Sequence, residues 1–174
     1  MKEGKTLRLL PLSERDIELT RKWRNQYAEN FFSHDYITKV QQKAWYEKYV
    51  ENYGRDYMFL IQLKSGEKIG TIALYNINPA DRTADVGRIL LIDEFRGYDY
   101  MEEAIKLVVD LALNDMHLYK LRVEAFLDNV GAISLYHKCG FKSIARPVLL
   151  MEQTNHDLDW GQSITIMDVG GDDE

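Results

Sequence analysis

Asn129-Val130-Gly131-Ala132-Ile133-Ser134-Leu135-Tyr136-His137-Lys138-Cys139-Gly140-Phe141 reads as a short helix with both ends marked. Asn129 stands where a side-chain oxygen can cap the first turn, Val130–Lys138 forms the helix, and Gly140 supplies the left-handed residue that stops it. A strand is predicted over residues 141–146, ended by Pro147, and a strand over Lys120–Phe126 precedes the cap. A strand, helix, strand series of this kind calls for a sheet with helices packed on it.

Working outward, residues 102–114 carry Ala104, Ile105, Val108, Val109, Ala112 and Leu113 as a wide apolar stripe, which predicts a helix on the sheet. The loop before it, Phe95-Arg96-Gly97-Tyr98-Asp99-Tyr100-Met101, joins that helix to the unbroken run Ile89-Leu90-Leu91-Ile92 of a strand over 83–92. Helix N-termini after a strand hold unpaired N–H groups and a positive dipole end, so this loop can cradle an anion; an ordinary surface turn is the alternative. Strands over Tyr57–Leu63 and 68–75 flank Lys64-Ser65-Gly66-Glu67 and are expected to pair antiparallel. Nearer the start lie a strand over 6–12, a helix after Ser13 and Asp16, an irregular segment over 28–40, and a helix over 41–53 buried through Trp45, Tyr49 and Val50 and stopped by Gly54. A strand over 162–169 closes the chain. The whole reads as one mixed α+β domain, residues 1–169, with an acidic flexible tail over 170–174.

At 174 residues, 45% hydrophobic and 29% charged, the chain has the composition of a globular domain, long enough to bury roughly 70% of the surface its unfolded form exposes. The lone Cys139 allows no internal disulfide, and no Cys/His spacing suits a metal, which points to a reducing cytoplasm. No segment has the length of a membrane span, and a formal net charge of −6 argues against nucleic acid as a partner. Mild acidity suits a cationic substrate such as an amine.

Asn129, Ala132, Leu135, Tyr136, Gly140 and Phe141 follow the pattern Asn-x-x-Ala-x-x-Leu-Tyr-x-x-x-Gly-Phe, and Arg96 and Gly97 follow part of (Arg/Gln)-x-x-Gly-x-(Gly/Ala). In both patterns and in the order of its elements, over nearly its whole length, the chain resembles the GCN5-related N-acetyltransferase (GNAT) superfamily. The resemblance implies a GNAT-like, mostly antiparallel central sheet flanked by helices and split between the fourth and fifth strands, at 83–92 and Lys120–Phe126. It implies acetyl-CoA as co-substrate and no metal. The pyrophosphate would meet backbone N–H groups of Arg96, Gly97, Tyr98, Asp99, Tyr100 and Met101, and the pantetheine arm would pair with Leu91 and Ile92. A backbone N–H near Leu91 would polarise the acetyl carbonyl.

Asp99 and Met101 depart from the family pattern, which has glycine and then glycine or alanine at these two places. A carboxylate beside a pyrophosphate is repulsive, so Asp99 is expected to turn to solvent, with Arg96 and Gly97 compensating. Tyr136 matches the general acid that protonates the departing thiolate, its alternative being a packed core tyrosine. Asn129 would cap its helix, contact the pantetheine arm, or both. Asp85 is the candidate base for the attacking ammonium, or a solvated strand carboxylate.

Arg24, Asn25 and His34 lie in or near the irregular segment where relatives build the acceptor pocket. The Trp23-Arg24-Asn25 triplet followed by Trp45-Tyr46 is similar to the branches that acetylate nucleotide-linked amino sugars and ribosomal proteins. The expected acceptor is therefore a primary amine on an amino sugar or other small metabolite; a protein N-terminus, a polyamine, or a silent CoA-binding regulatory domain are the alternatives. The C-terminal strand offers an edge through which a homodimer could form.

Overall fold

The computed structural model describes residues 1–143, 148–149 and 163–170. Their strands form one sheet: β1 (Lys2–Glu3), β2 (Leu7–Pro11), β3 (Tyr57–Leu63), β4 (Lys68–Asn78), β5 (Thr83–Leu91), β6 (Lys120–Phe126), β7 (Lys142–Ser143), β8 (Val148–Leu149) and β9 (Ser163–Gly170). The order is β1-β2-β3-β4-β5-β6-β9-β7, with β8 also on β9, and every pairing is antiparallel except β5 with β6. Four α-helices accompany it: α1 (Ile17–Gln26), α2 (Lys39–Glu51), α3 (Tyr100–Asp110, continued by a π turn to Asp115) and α4 (Val130–Lys138).

Strands β3 and β4 are apolar on both faces, as a central strand covered twice must be. Met58, Phe59, Leu60 and Ile61 are buried in succession, and the two parities go to different cores. Phe59 and Ile61 join Leu9, Ile72, Val86, Leu121 and Phe141 beneath α3 and α4. Met58 and Leu60 join Trp23, Tyr27, Ala73 and Leu90 beneath α1 and α2. Each such fully buried aliphatic side chain contributes about 1.5–3 kcal/mol. Helix α3 is also fixed by Glu103, which accepts hydrogen bonds from the backbone N–H and hydroxyl of Thr6 and so ties the helix to the start of β2.

The expected split between the fourth and fifth strands lies between β5 and β6, the count moving up by one because Lys2–Glu3 pairs in front of β2. Parallel pairing runs only from Thr83↔Lys120 to Val86↔Val123. Beyond it the two strands part, because β5 carries a bulge. Its register on β4 passes from Ala73↔Gly87 to Thr71↔Leu90, so Arg88 and Ile89 together face Ile72. Arg88 takes the left-handed conformation, with φ of 48°.

Two expectations are corrected. Val50 is 52% exposed rather than part of the buried stripe of α2, whose covered residue is Gln42, with Trp45 and Tyr49 half-buried. That helix also starts earlier than expected, because Thr38 and Gln41 form a reciprocal capping box. The C-terminal strand β9 lacks the free edge expected for dimerisation: β6 occupies one side, and β7 and β8 the other. Residues 144–146 of the expected strand, residues 147 and 150–162 beyond it, and the tail from 171 lie outside the described residues.

Candidate active site

The opening between β5 and β6 is a cleft of about 320 Å³ lined by Gly87, Arg88 and Ile89 of the bulge, by Val123–Phe126 of β6, by Tyr75 of β4, by Asn129, Ala132 and Tyr136 of α4, and by Arg24 and residues 30–33. A second cavity, also about 320 Å³, lies under α1 and α2 and is walled by Trp23, Tyr36, Ile37, Gln42, Trp45, Met58 and Leu90. Arg24, Phe31 and Arg88 line both. The two spaces are therefore neighbours across one wall.

Tyr136 is 6% exposed, its ring tilted against Phe141 at 6.1 Å, and it stands on the cleft-facing side of α4. Burial pushes its phenol well above the ordinary tyrosine range, so the proton stays on the oxygen at neutral pH. Asn129 caps α4 by accepting from Ala132 N at 3.0 Å, which settles its structural half and still leaves it on the cleft wall. Cys139 is buried below, its thiol pushed up to about 11 by desolvation, and is no nucleophile.

Asp85 is placed differently from the expectation. Arg122 Nε donates to one carboxylate oxygen at 3.0 Å and Asn76 Nδ2 to the other at 2.8 Å, so the carboxylate is occupied in bracing β4, β5 and β6, and it lines neither cavity. The acid that does face the cleft is Glu124, exposed and without an ion pair among the described residues. Sequence reasoning passed over it. The alternation of β6, with Leu121, Val123 and Ala125 buried, already turned Glu124 to the other face.

In the loop, Gly97 has φ of 85°, a conformation that L side chains rarely adopt. Among the described residues the N–H groups of Gly97, Tyr98 and Asp99 have no backbone acceptor, and the first turn of α3 adds its own unpaired donors. Asp99 is exposed, as expected, while Met101 is 7% exposed and belongs to the core beneath α3. The larger side chain at 101 thus fills space under the helix and takes none from the loop's outer face. Arg96 pairs with Asp93 at 2.9 Å, and Tyr98 stacks on Tyr100 at 5.4 Å.

Leu91 and Ile92 divide. Ile92 donates its N–H to Ile69 O and accepts from Phe95 N, so both of its backbone groups are engaged within the chain. Alternation along the strand turns the Leu91 N–H the opposite way, away from β4, though Leu91 itself lines neither cavity. Arg24 lines both cavities. Asn25 lines neither, because its amide is committed to Ile37, donating to the carbonyl at 2.9 Å and accepting from the N–H at 2.8 Å. His34 is exposed and also lines neither.

A splayed parallel pair, a bulged strand facing it and a glycine-bearing loop at a helix N-terminus together fit an acetyl-CoA cradle. The family model described as an acetyltransferase (GNAT) domain matches residues 6–142. This chain belongs to the GNAT acetyltransferase family. Among curated relatives it is 32% identical over 158 residues to the probable N-acetyltransferase YjcK of Bacillus subtilis, covering 84% of this chain and 87% of that protein. It is 27% identical over 143 residues to the spermidine N(1)-acetyltransferase of Escherichia coli, covering 81% and 75%. Among solved structures, a spermidine N-acetyltransferase from Vibrio cholerae in complex with CoA and spermine superposes with a TM-score of 0.83 at 20% identity, covering 94% of this chain and 95% of that one. This GNAT protein is an acetyl-CoA-dependent N-acetyltransferase, and its sheet is the GNAT sheet. No group of three or more metal-ligating side chains occurs among its described residues.

Proposed function

We propose that the protein acetylates the primary amine of a small molecule in a direct ternary complex. The observation that carries this is the shared wall: a cleft lined by Tyr136, Asn129 and Glu124 opens beside an aromatic cavity large enough for a small acceptor. Bound acetyl-CoA supplies the thioester carbonyl. The loop at 96–101 holds the pyrophosphate through its free N–H groups. Leu91 lends its N–H to the pantetheine arm or to the acetyl oxygen, the latter as a single oxyanion donor.

Glu124 takes the ammonium proton, directly or through a water, which frees the nitrogen lone pair to attack the carbonyl carbon. As the C–N bond forms and the C–S bond breaks, Tyr136 gives its phenolic proton to the departing sulfur, and the second proton of the attacking nitrogen passes through water to the phenolate, leaving a neutral amide and a neutral tyrosine. Glu124→Gln is expected to lower kcat/KM about 100-fold, read by thiol release at a fixed pH. Asp85→Asn is expected to change kcat/KM much less; a large loss in Asp85→Asn with little change in Glu124→Gln would return the base role to Asp85.

The names of relatives support a polyamine acceptor over the amino sugar expected from the Trp23-Arg24-Asn25 triplet. The core position of Met101 and the exposure of Asp99 speak for turnover over a silent CoA-binding domain. A reducing cytoplasm remains part of this reading, and a homodimer would need a surface other than β9. Thiol release from acetyl-CoA, measured with spermidine, amino sugars and simple alkylamines, tests it. Absence of release with every amine at millimolar acetyl-CoA would sink the enzymatic reading.

A further inference from the structure

Arg24 is the cation that both cavities share without a carboxylate of its own. Arg88, the other arginine on the wall, is neutralised by a bidentate pair with Asp56, at 2.5 and 2.8 Å, and lies against the rings of Tyr75 and Trp45. Arg21 is held by Glu18 and the Ile37 carbonyl. Arg24 has no ion pair among the described residues. Its guanidinium stacks on the Phe31 ring at 3.9 Å, its Nη2 donates to the Ser33 carbonyl, and its Nη1 is buried with no hydrogen-bond partner among the described residues. Asp35, which lines the same cavity, offers it only a longer-range attraction.

A buried guanidinium nitrogen left without an acceptor is costly, and its planar fork suits the paired oxygens of a carboxylate or phosphate. The stack on Phe31 holds the fork in place. The remaining walls combine apolar Trp23, Trp45, Met58 and Leu90 with the neutral polar side chains of Thr20, Tyr36, Gln41, Gln42 and Thr71, so besides Asp35 the cavity carries no acid that would compete with an anion for Arg24. Across the wall Glu124 offers the opposite charge. We propose that the acceptor carries an oxyanion as well as its amine: Arg24 binds the carboxylate or phosphate, and the amine lies toward the β5 bulge and Glu124. This rests on the acetyl-transfer reading and deepens it. In this it departs from the polyamine acceptor that the names of relatives support, because an ammonium group beside an unpaired guanidinium is repelled.

The test uses the full chain and matched acceptors: 6-aminohexanoate against its amide, glucosamine 6-phosphate against glucosamine, and spermidine. Thiol release is measured alongside calorimetric binding of the same compounds in the presence of CoA. The oxyanion-bearing member of at least one pair is expected to be preferred about 10-fold to 100-fold in kcat/KM or affinity, the worth of one hydrogen bond to a charged group. Whichever pair shows it identifies the anion as carboxylate or phosphate. Arg24→Gln is expected to abolish the preference, and Arg24→Lys, which keeps the charge but loses the fork, to reduce it. Thermal unfolding and CoA binding report whether each variant is folded, and the wild-type panel stands without them. Selective, Arg24-dependent binding without turnover would support the anion site while the transfer reading failed. Turnover with no preference within either pair, a preference that survives in Arg24→Gln, or spermidine as the best acceptor would overturn the anion site and leave the transfer reading intact.

Discussion

Tyr136→Phe is expected to lower kcat by about 100-fold or more, the low end of what a positioned general acid contributes, with a much smaller change in KM for acetyl-CoA. The substitution removes one oxygen from a ring packed against Phe141, so the core beneath α4 keeps its shape and thermal stability should hold. The direction of the phenol's shift adds a second readout. A raised pKa keeps the donor protonated at and above the ordinary tyrosine value of about 10, so the required form is lost only at still higher pH. Wild-type kcat should therefore show no alkaline decline from this group up to about pH 10. Steady-state kinetics across pH, with thiol release as the signal, separates the outcomes. An unchanged kcat in Tyr136→Phe would remove the tyrosine as acid and leave the fold and the cleft standing.

The stretch from Asn129 to Phe141 was readable because each role is local. A cap, a stripe and a stop lie within one helix, and the structure has Asn129 on Ala132 N and Gly140 with φ of 94°. The loop at 95–101 was readable in outline, but where Met101 puts its side chain is a spatial matter that spacing alone does not reveal: it is buried in the core beneath α3. The choice between two candidate bases turns on spatial contacts in the same way. Asp85 and Glu124 are both acids on neighbouring strands, and only the partnership of Arg122 and Asn76, with the splay beyond Val123, separates the occupied carboxylate from the available one. The bulge itself left only Gly87 as a mark in the sequence. Bulges and turns are usually found through glycine, yet here the left-handed residue is Arg88, held by Asp56 through its side chain and by Thr71 Oγ1 on its carbonyl at 2.9 Å. Asn25 has the polarity of a ligand-binding residue and is spent on Ile37, a contact across 12 positions of irregular chain.

The bulge also makes one glycine indispensable for a reason unrelated to φ. A Cβ on Gly70 would fall 2.1 Å from the Leu90 carbonyl oxygen and 3.1 Å from Leu91 Cα. Both are backbone atoms of the strand that builds the cleft, so neither can swing aside as a side-chain tip would. Gly70→Ala must push β5 away from β4 beside the bulge, in the middle of the sheet, and is expected to cost about 3–4 kcal/mol. For a domain of this size that corresponds to a fall in Tm of roughly 6–15 °C. Gly131→Ala is the matched control: its Cβ would meet only Asn129 Oδ1, at 3.8 Å, within α4, and stability should be unchanged or slightly higher. Because the displaced atoms adjoin the Leu91 N–H, the Gly70 variant should also lose acetyl transfer at temperatures where it remains folded. Thermal unfolding of both variants, with kcat measured well below the lower Tm, decides the matter. A Gly70→Ala protein as stable as wild type would mean that β4 and β5 do not approach as closely as described, and one that is destabilised yet fully active would mean that the bulge does not depend on that approach.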